Sequence, residues 1–222
     1  MATTHPAALL LPPREKPLLR GVFHEIAVAF ALAGAVILTR LASGPRATSA
    51  AVVYGVALTL LFSTSALYHR PRWGPRLYRL MRRLDHAAIF VLIAGTYTPV
   101  CLLLPTRAGL VVLAAVWTGA LAGVVFAILW PGAPKWLNAT VYVGLGWAIV
   151  PVLPALARAL GPRGLALLIT GGVVYSLGAL IYALRRPNPF PRVFGYHEIF
   201  HLLVIVAAAF QYAAVVAVVE VL

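Results

Sequence analysis

Residues 196–219 read YHEIFHLLVIVAAAFQYAAVVAVV. At about 1.5 Å of rise per residue, a helix of this length crosses a hydrocarbon core of about 30 Å. Its first turns hold the ionisable residues. On a helix His197 and His201 lie four residues apart, one turn above each other on one face, where two imidazoles can share a metal ion. The pattern is also H-E-x-x-H, the two-histidine zinc clip of many metalloproteases, with Glu198 between them as a possible base. A polar helix end facing lipid headgroups has the same composition.

Outward from this run, the chain repeats its apolar character. Of 222 residues, 62% are hydrophobic and 10% charged, with a mean hydropathy of +0.94. An ordinary soluble domain carries about 25% charged residues, so the composition specifies a multi-pass membrane protein. The expected fold is an all-α bundle of seven transmembrane helices near 22–41, 49–68, 84–104, 108–130, 137–157, 164–184 and 196–219. Pro- and Gly-rich turns punctuate them, and residues 1–21 read as a short cytoplasmic tail before a helical domain over 22–222. No basic residue precedes the short apolar patch near Ala7 and Pro12-Pro13 follows it, so the tail does not read as a signal peptide.

With the N-terminus inside, thirteen of the eighteen Lys and Arg residues fall in inner segments, six of them between the second and third helices. This bias predicts an inside N-terminus and an outside C-terminus, in a plasma (inner) membrane. The net charge of +13 lies mostly between apolar runs, where it orients helices and meets anionic lipid heads, so nucleic acid is not an expected partner. The lipid bilayer is. The lone Cys101 can form neither an internal disulfide nor a Cys-rich zinc site, which leaves His and carboxylate as metal donors. Lys16 and Lys135 fall in predicted loops, so no intramembrane amine is available for a retinal Schiff base.

Placed on these helices, the polar residues gather at one depth. His24 and Glu25 enter the first helix, His69 ends the second, Asp85 and His86 begin the third, and His197, Glu198 and His201 begin the seventh. Ionisable groups at membrane depth are costly and usually mark a function or a paired interior. His69 is the best third ligand, and Ser65 shares its helical face four residues before it. Three neutral histidines with one open position make a catalytic type of zinc site. The residues taken singly also have plainer readings: His69 facing headgroups, Asp85 paired with Arg82 or Arg83, Ser65 easing helix packing. His24, Glu25 and His86 are supporting candidates at the interface.

Four motifs carry a resemblance: Ser65-Ala66-Leu67-Tyr68-His69, Arg83-Leu84-Asp85-His86, Gly95-Thr96-Tyr97-Thr98-Pro99 and His197-Glu198-Ile199-Phe200-His201. In this order, from His24 to the last helix, the chain resembles the hemolysin III branch of the progestin and adiponectin receptor superfamily. The resemblance implies seven helices, an inside N-terminus, and a zinc ion bound by His69, His197 and His201. It carries the family's serine and aspartate onto Ser65 and Asp85, with Asp85 holding a zinc-bound water. The wider group includes alkaline ceramidases, so the implied activity is zinc-dependent hydrolysis of a lipid amide, with a lipid as substrate.

Two other functions fit some of these residues. A non-enzymatic sensor or receptor, or a hemolysin-like membrane protein, would use the same three histidines for structural zinc. An intramembrane metalloprotease would use His197, Glu198 and His201, but the only aspartate, Asp85, precedes them by more than a hundred residues and no later Asp-Gly motif follows. No continuous polar stripe marks a pore. Thr170-Gly171-Gly172 and Val143-Gly144-Leu145-Gly146 are places where helices either pack closely or leave room for an acyl chain.

Overall fold

A computed structural model describes residues 16–104 and 106–222. Residues 1–15 of the expected tail, and Pro105 of the expected turn after the third helix, lie outside the described residues. The chain is helical: α1 Val22–Leu41, α2 Gly44–His69, α3 Pro75–Leu103, α4 Arg107–Leu129, α5 Lys135–Gly146, α6 Leu153–Leu184 and α7 Tyr196–Val221, with a 3₁₀ turn at Val150–Val152. Among the described residues the only β pairing is an isolated bridge between Phe190 and Phe194.

Six helical runs are long and apolar enough to cross a membrane, where seven separate spans were expected. Five of the expected spans recur, with α2 beginning five residues early at Gly44 and α3 beginning nine residues early at Pro75. The Arg-rich turns at the start of α3 extend that helix beyond its apolar part. The expected fifth and sixth spans fall within one run, Lys135–Leu184. This run is broken after Gly146 and turns at Gly161, whose φ of 67° and ψ of −179° lie outside helical geometry. Beyond that turn it folds back on itself: Leu156 clusters with Leu168, Trp147 Nε1 donates to Ser176 Oγ (2.9 Å), and Ala139 packs with Ala179 and Tyr182.

The break in the expected fifth span has a local cause. Pro151 has no N–H to donate and Pro154 sits in the first turn of α6, so helical bonding cannot run continuously through this stretch. Val150 N–H instead bonds the Trp147 carbonyl (3.2 Å), and the Gly146 carbonyl released by that change accepts from the Tyr97 hydroxyl of α3 (2.8 Å). Pro99 has no such effect, because α3 runs unbroken through it.

α1, α2 and α7 pack through small residues. Ala27, Ala31, Ala47, Ala51 and Ala208 are buried in one cluster, and Gly34 leaves space for the ring of Tyr212, whose hydroxyl donates to the Gly34 carbonyl (2.9 Å). Large apolar side chains such as Phe30 and Leu129, 74% and 76% exposed, point outward as a lipid-facing surface. α4 packs on α3 where Gly123 accommodates Phe90.

Candidate metal centre

The first turn of α7 is held from both sides. The Gly195 N–H donates to Glu198 Oε2 (2.8 Å), so the Glu198 carboxylate caps the helix start, while Arg20 Nε donates to Glu198 Oε1 (2.5 Å). The Tyr196 N–H donates to Asn188 Oδ1 (3.0 Å). Glu198 is 1% exposed, and both its oxygens are committed to holding the helix start and the segment before α1. That leaves it poorly suited to act as the base the H-E-x-x-H pattern suggests.

With α7 fixed this way, His197 and His201 turn inward toward His69 at the C-terminal end of α2. Each of the three offers one ring nitrogen, and these atoms lie within 4.8 Å of one another. His69 Nε2 and His197 Nε2 stand 3.1 Å apart, and His197 Nδ1 is buried without a partner. Two nitrogens on one tetrahedral zinc at about 2.0–2.1 Å stand roughly 3.3 Å apart, so the spacing and the neutral-imidazole donor set fit a metal ion. The three buried histidines could hold one.

Asp85 Oδ2 lies 4.0 Å from His69 Nε2. No pairing of Asp85 with Arg82 or Arg83 is present among the described residues, so the carboxylate faces the histidines. Ser65 is buried one turn before His69, and its oxygen lies 2.8 Å from His24 Nδ1.

His24 is where sequence reasoning fell short. Read as an interfacial residue, it is 3% exposed, its ring stacks on His201 at 3.9 Å and 4°, and its Nε2 lies 3.2 Å from the His201 carbonyl. A carbonyl only accepts, so Nε2 carries the proton, and Nδ1 of a neutral ring then accepts from the Ser65 hydroxyl. His24 thereby joins α1, α2 and α7 behind the ligands. Of the other supporting candidates, Glu25 is exposed and pairs with Arg70 (2.7 Å), away from the site, and His86 lines a cavity beside the histidines.

The segment before α1 closes the site at the end of the bundle where α1 and α7 begin. Lys16 Nζ donates to the His69 carbonyl (3.2 Å), and at Gly21, φ 80°, a Cβ would stand 2.6 Å from His69 Cβ. Burial, with Arg20 and Arg72 nearby, lowers the Lys16 amine below the ordinary lysine range.

Beside the histidines lies a cavity of about 430 Å³. One face of α3 forms a wall, through Tyr78, Arg82, Asp85, Ile89, Leu92 and Thr96 at helical spacing. Tyr175, Ala179 and Tyr182 of α6 stand opposite, and Gln211 of α7 closes the deep end. Lys135, expected in a loop, opens α5 and lines the mouth. Gln211 was also missed. Its signal was a lone amide within the apolar run, and its Oε1 is buried without a partner.

Comparison with known proteins agrees with the sequence motifs. A family model described as "Haemolysin-III related" matches residues 13–212. "Hemolysin-3" of Bacillus cereus is 35% identical over 199 residues, covering 88% of each chain. The human "Monocyte to macrophage differentiation factor" is 27% identical over 201 residues, 86% of this chain and 79% of that protein. "Heptahelical transmembrane protein ADIPOR2" of Oryza sativa subsp. japonica is 34% identical over 151 residues, 60% of this chain and 65% of that protein.

Proposed function

The chain belongs to the haemolysin-III family, and from that membership and the histidine geometry we propose that it is a zinc-dependent intramembrane hydrolase of a lipid amide. The observation that carries the reading is the convergence of His69, His197 and His201, with Asp85 beside them, on a cavity deep enough for an acyl chain. A zinc ion held by the three histidines would act as a Lewis acid toward water and the acyl carbonyl.

Asp85 takes a proton from water as the water oxygen attacks the acyl carbon, and returns it to nitrogen as the C–N bond breaks, releasing fatty acid and amine. Ser65 and His24 are positioning residues: the Ser65 hydroxyl fixes the His24 ring, and that ring supports His201 from behind. The apolar cavity wall holds the chain and excludes bulk water from the reacting bond.

The fold read with this function has seven crossings, an inside N-terminus and a place in the plasma membrane. The reversal at Gly161, the printed name "heptahelical" of the rice relative and the thirteen-to-five Lys/Arg bias support it. An open cavity beside the triad favours turnover over a sealed structural ion. The double use of Glu198 disfavours a protease that depends on it.

Elemental analysis of purified protein tests the centre, with about one zinc per chain expected for wild type and none for His69→Ala, His197→Ala or His201→Ala. Ceramide-like amides then test the reaction, with release of fatty acid in wild type and none in Asp85→Asn. Metal-free wild type purified without chelator, or metal retained in all three histidine variants, would overturn the reading.

A further inference from the structure

The mouth of the cavity carries charge that the metal centre does not use. Arg20, at the same mouth, is neutralised by Glu198, but Arg82 and Lys135 pair with no carboxylate among the described residues. Lys135 is fixed in place: its Nζ lies 4.5 Å from the ring centres of both Tyr182 and Tyr196 and donates to the Tyr196 hydroxyl (2.5 Å). One N–H of three is spent there. Other arginines of the same stretch, such as Arg76 and Arg79, are exposed and suffice to orient the helix.

Chemistry changes in a definite order with depth. The two cations stand at the mouth, Asp85 and the histidines follow, and Leu92, Ile93, Val143 and Val204 line the interior. Arg82 precedes Asp85 by three residues on the cavity face of α3, a rise of about 4.5 Å. An anion at Arg82 would therefore stand only a few bonds from a reacting group beside Asp85. A neutral amphiphile would leave two cations unmatched in a half-enclosed mouth, whereas a phosphate oxyanion matches the positive charges of Arg82 and Lys135 together.

We propose that the cavity takes a lipid with an anionic phosphate headgroup, held between Arg82 and Lys135, with its acyl chain running past the histidines. The inference rests on reading this cavity as the lipid site and narrows the substrate from lipid amides in general to those carrying a phosphate close to the amide.

The test is thermal unfolding of the full chain in neutral detergent, titrated with dioctanoyl phosphatidate, dioctanoyl phosphatidylcholine or inorganic phosphate. Phosphatidate is expected to raise the wild-type midpoint at concentrations at least about tenfold below those at which the other two act, a preference of about 1.4 kcal/mol. Arg82→Gln and Lys135→Gln each lose that preference, while Arg82→Lys, Lys135→Arg and the exposed control Arg79→Gln keep it. If a glutamine variant does not fold, its charge-keeping partner and the other glutamine variant still decide.

Equal action of phosphatidate and phosphatidylcholine overturns the proposal, as does equal loss in Arg79→Gln. Inorganic phosphate acting as strongly as phosphatidate would assign the cations to free phosphate and overturn it too. Because binding is read without turnover, phosphatidate selectivity with no amide hydrolysis would sink the hydrolase and leave this site standing. Hydrolysis with no charge preference would do the reverse.

Discussion

The two halves of the bundle are built differently. Where α1, α2 and α7 meet, small residues close the seams: a Cβ on Gly55 would stand 2.7 Å from Ala35 Cβ and 3.1 Å from its Cα. Where α5 and α6 face α3, Gly146 has nothing within 4 Å of a built Cβ, and the cavity opens. The packed half supplies His24, His69, His197 and His201, and the hollow half supplies the walls. Under the proposed function the metal ligands need rigid support and the lipid needs space, so dividing the two tasks between halves would let neither compromise the other.

The strongest way to break this contrast is at the lock of the packed half. Glu198→Ala removes the buried partner of Arg20 and the cap of α7, and should cost about 3 kcal/mol, the low end for a broken buried pair because Arg20 is partly exposed. Metal content should stay near one per chain. A variant of wild-type thermal stability that has lost its metal would instead make Glu198 part of the centre.

A matched pair of glycines compares the halves directly. Gly55→Leu meets the α1 backbone and should destabilise by about 1–3 kcal/mol in thermal unfolding. Gly146→Leu meets open space, so stability should change by no more than about 0.5 kcal/mol while lipid hydrolysis falls with the filled cavity. Equal destabilisation by both would erase the distinction.

Smaller changes sharpen it. His24→Ala removes the ring behind His201 and should weaken metal affinity about 10- to 100-fold in chelator competition, with the fold retained. Tyr97→Phe deprives the Gly146 carbonyl of its donor at the break in the hollow half. Its expected cost is about 1 kcal/mol in thermal unfolding, the scale of one hydrogen bond in a membrane bundle.

How far the site could be read in advance depended on the range of each interaction. His197 and His201 were visible as a pair because four-residue spacing is a property of one helix. Helical periodicity likewise put Ser65 on the face of His69. His24 had no such local partner: it meets His201 across 177 residues of sequence, and nothing in α1 distinguishes a buried histidine from one at the headgroups. Glu198 looked like a base because the motif is local, whereas its partner Arg20 lies 178 residues away. Gly171 and Gly146 looked alike in sequence, yet Gly171 abuts the Gln211 side chain while Gly146 borders empty space.

The sequence by itself determined that the chain is a helical membrane protein, where most of its apolar runs lie, and which family it belongs to. These follow from composition, local periodicity and short motifs, each complete within a few turns of chain. Tertiary structure alone decided that His24 backs the three histidines, that Glu198 is held by Arg20, and that Arg82 and Lys135 share the mouth of one cavity. The physical reason is that a helix specifies its own face, while the partner of that face is chosen by packing among helices far apart in sequence.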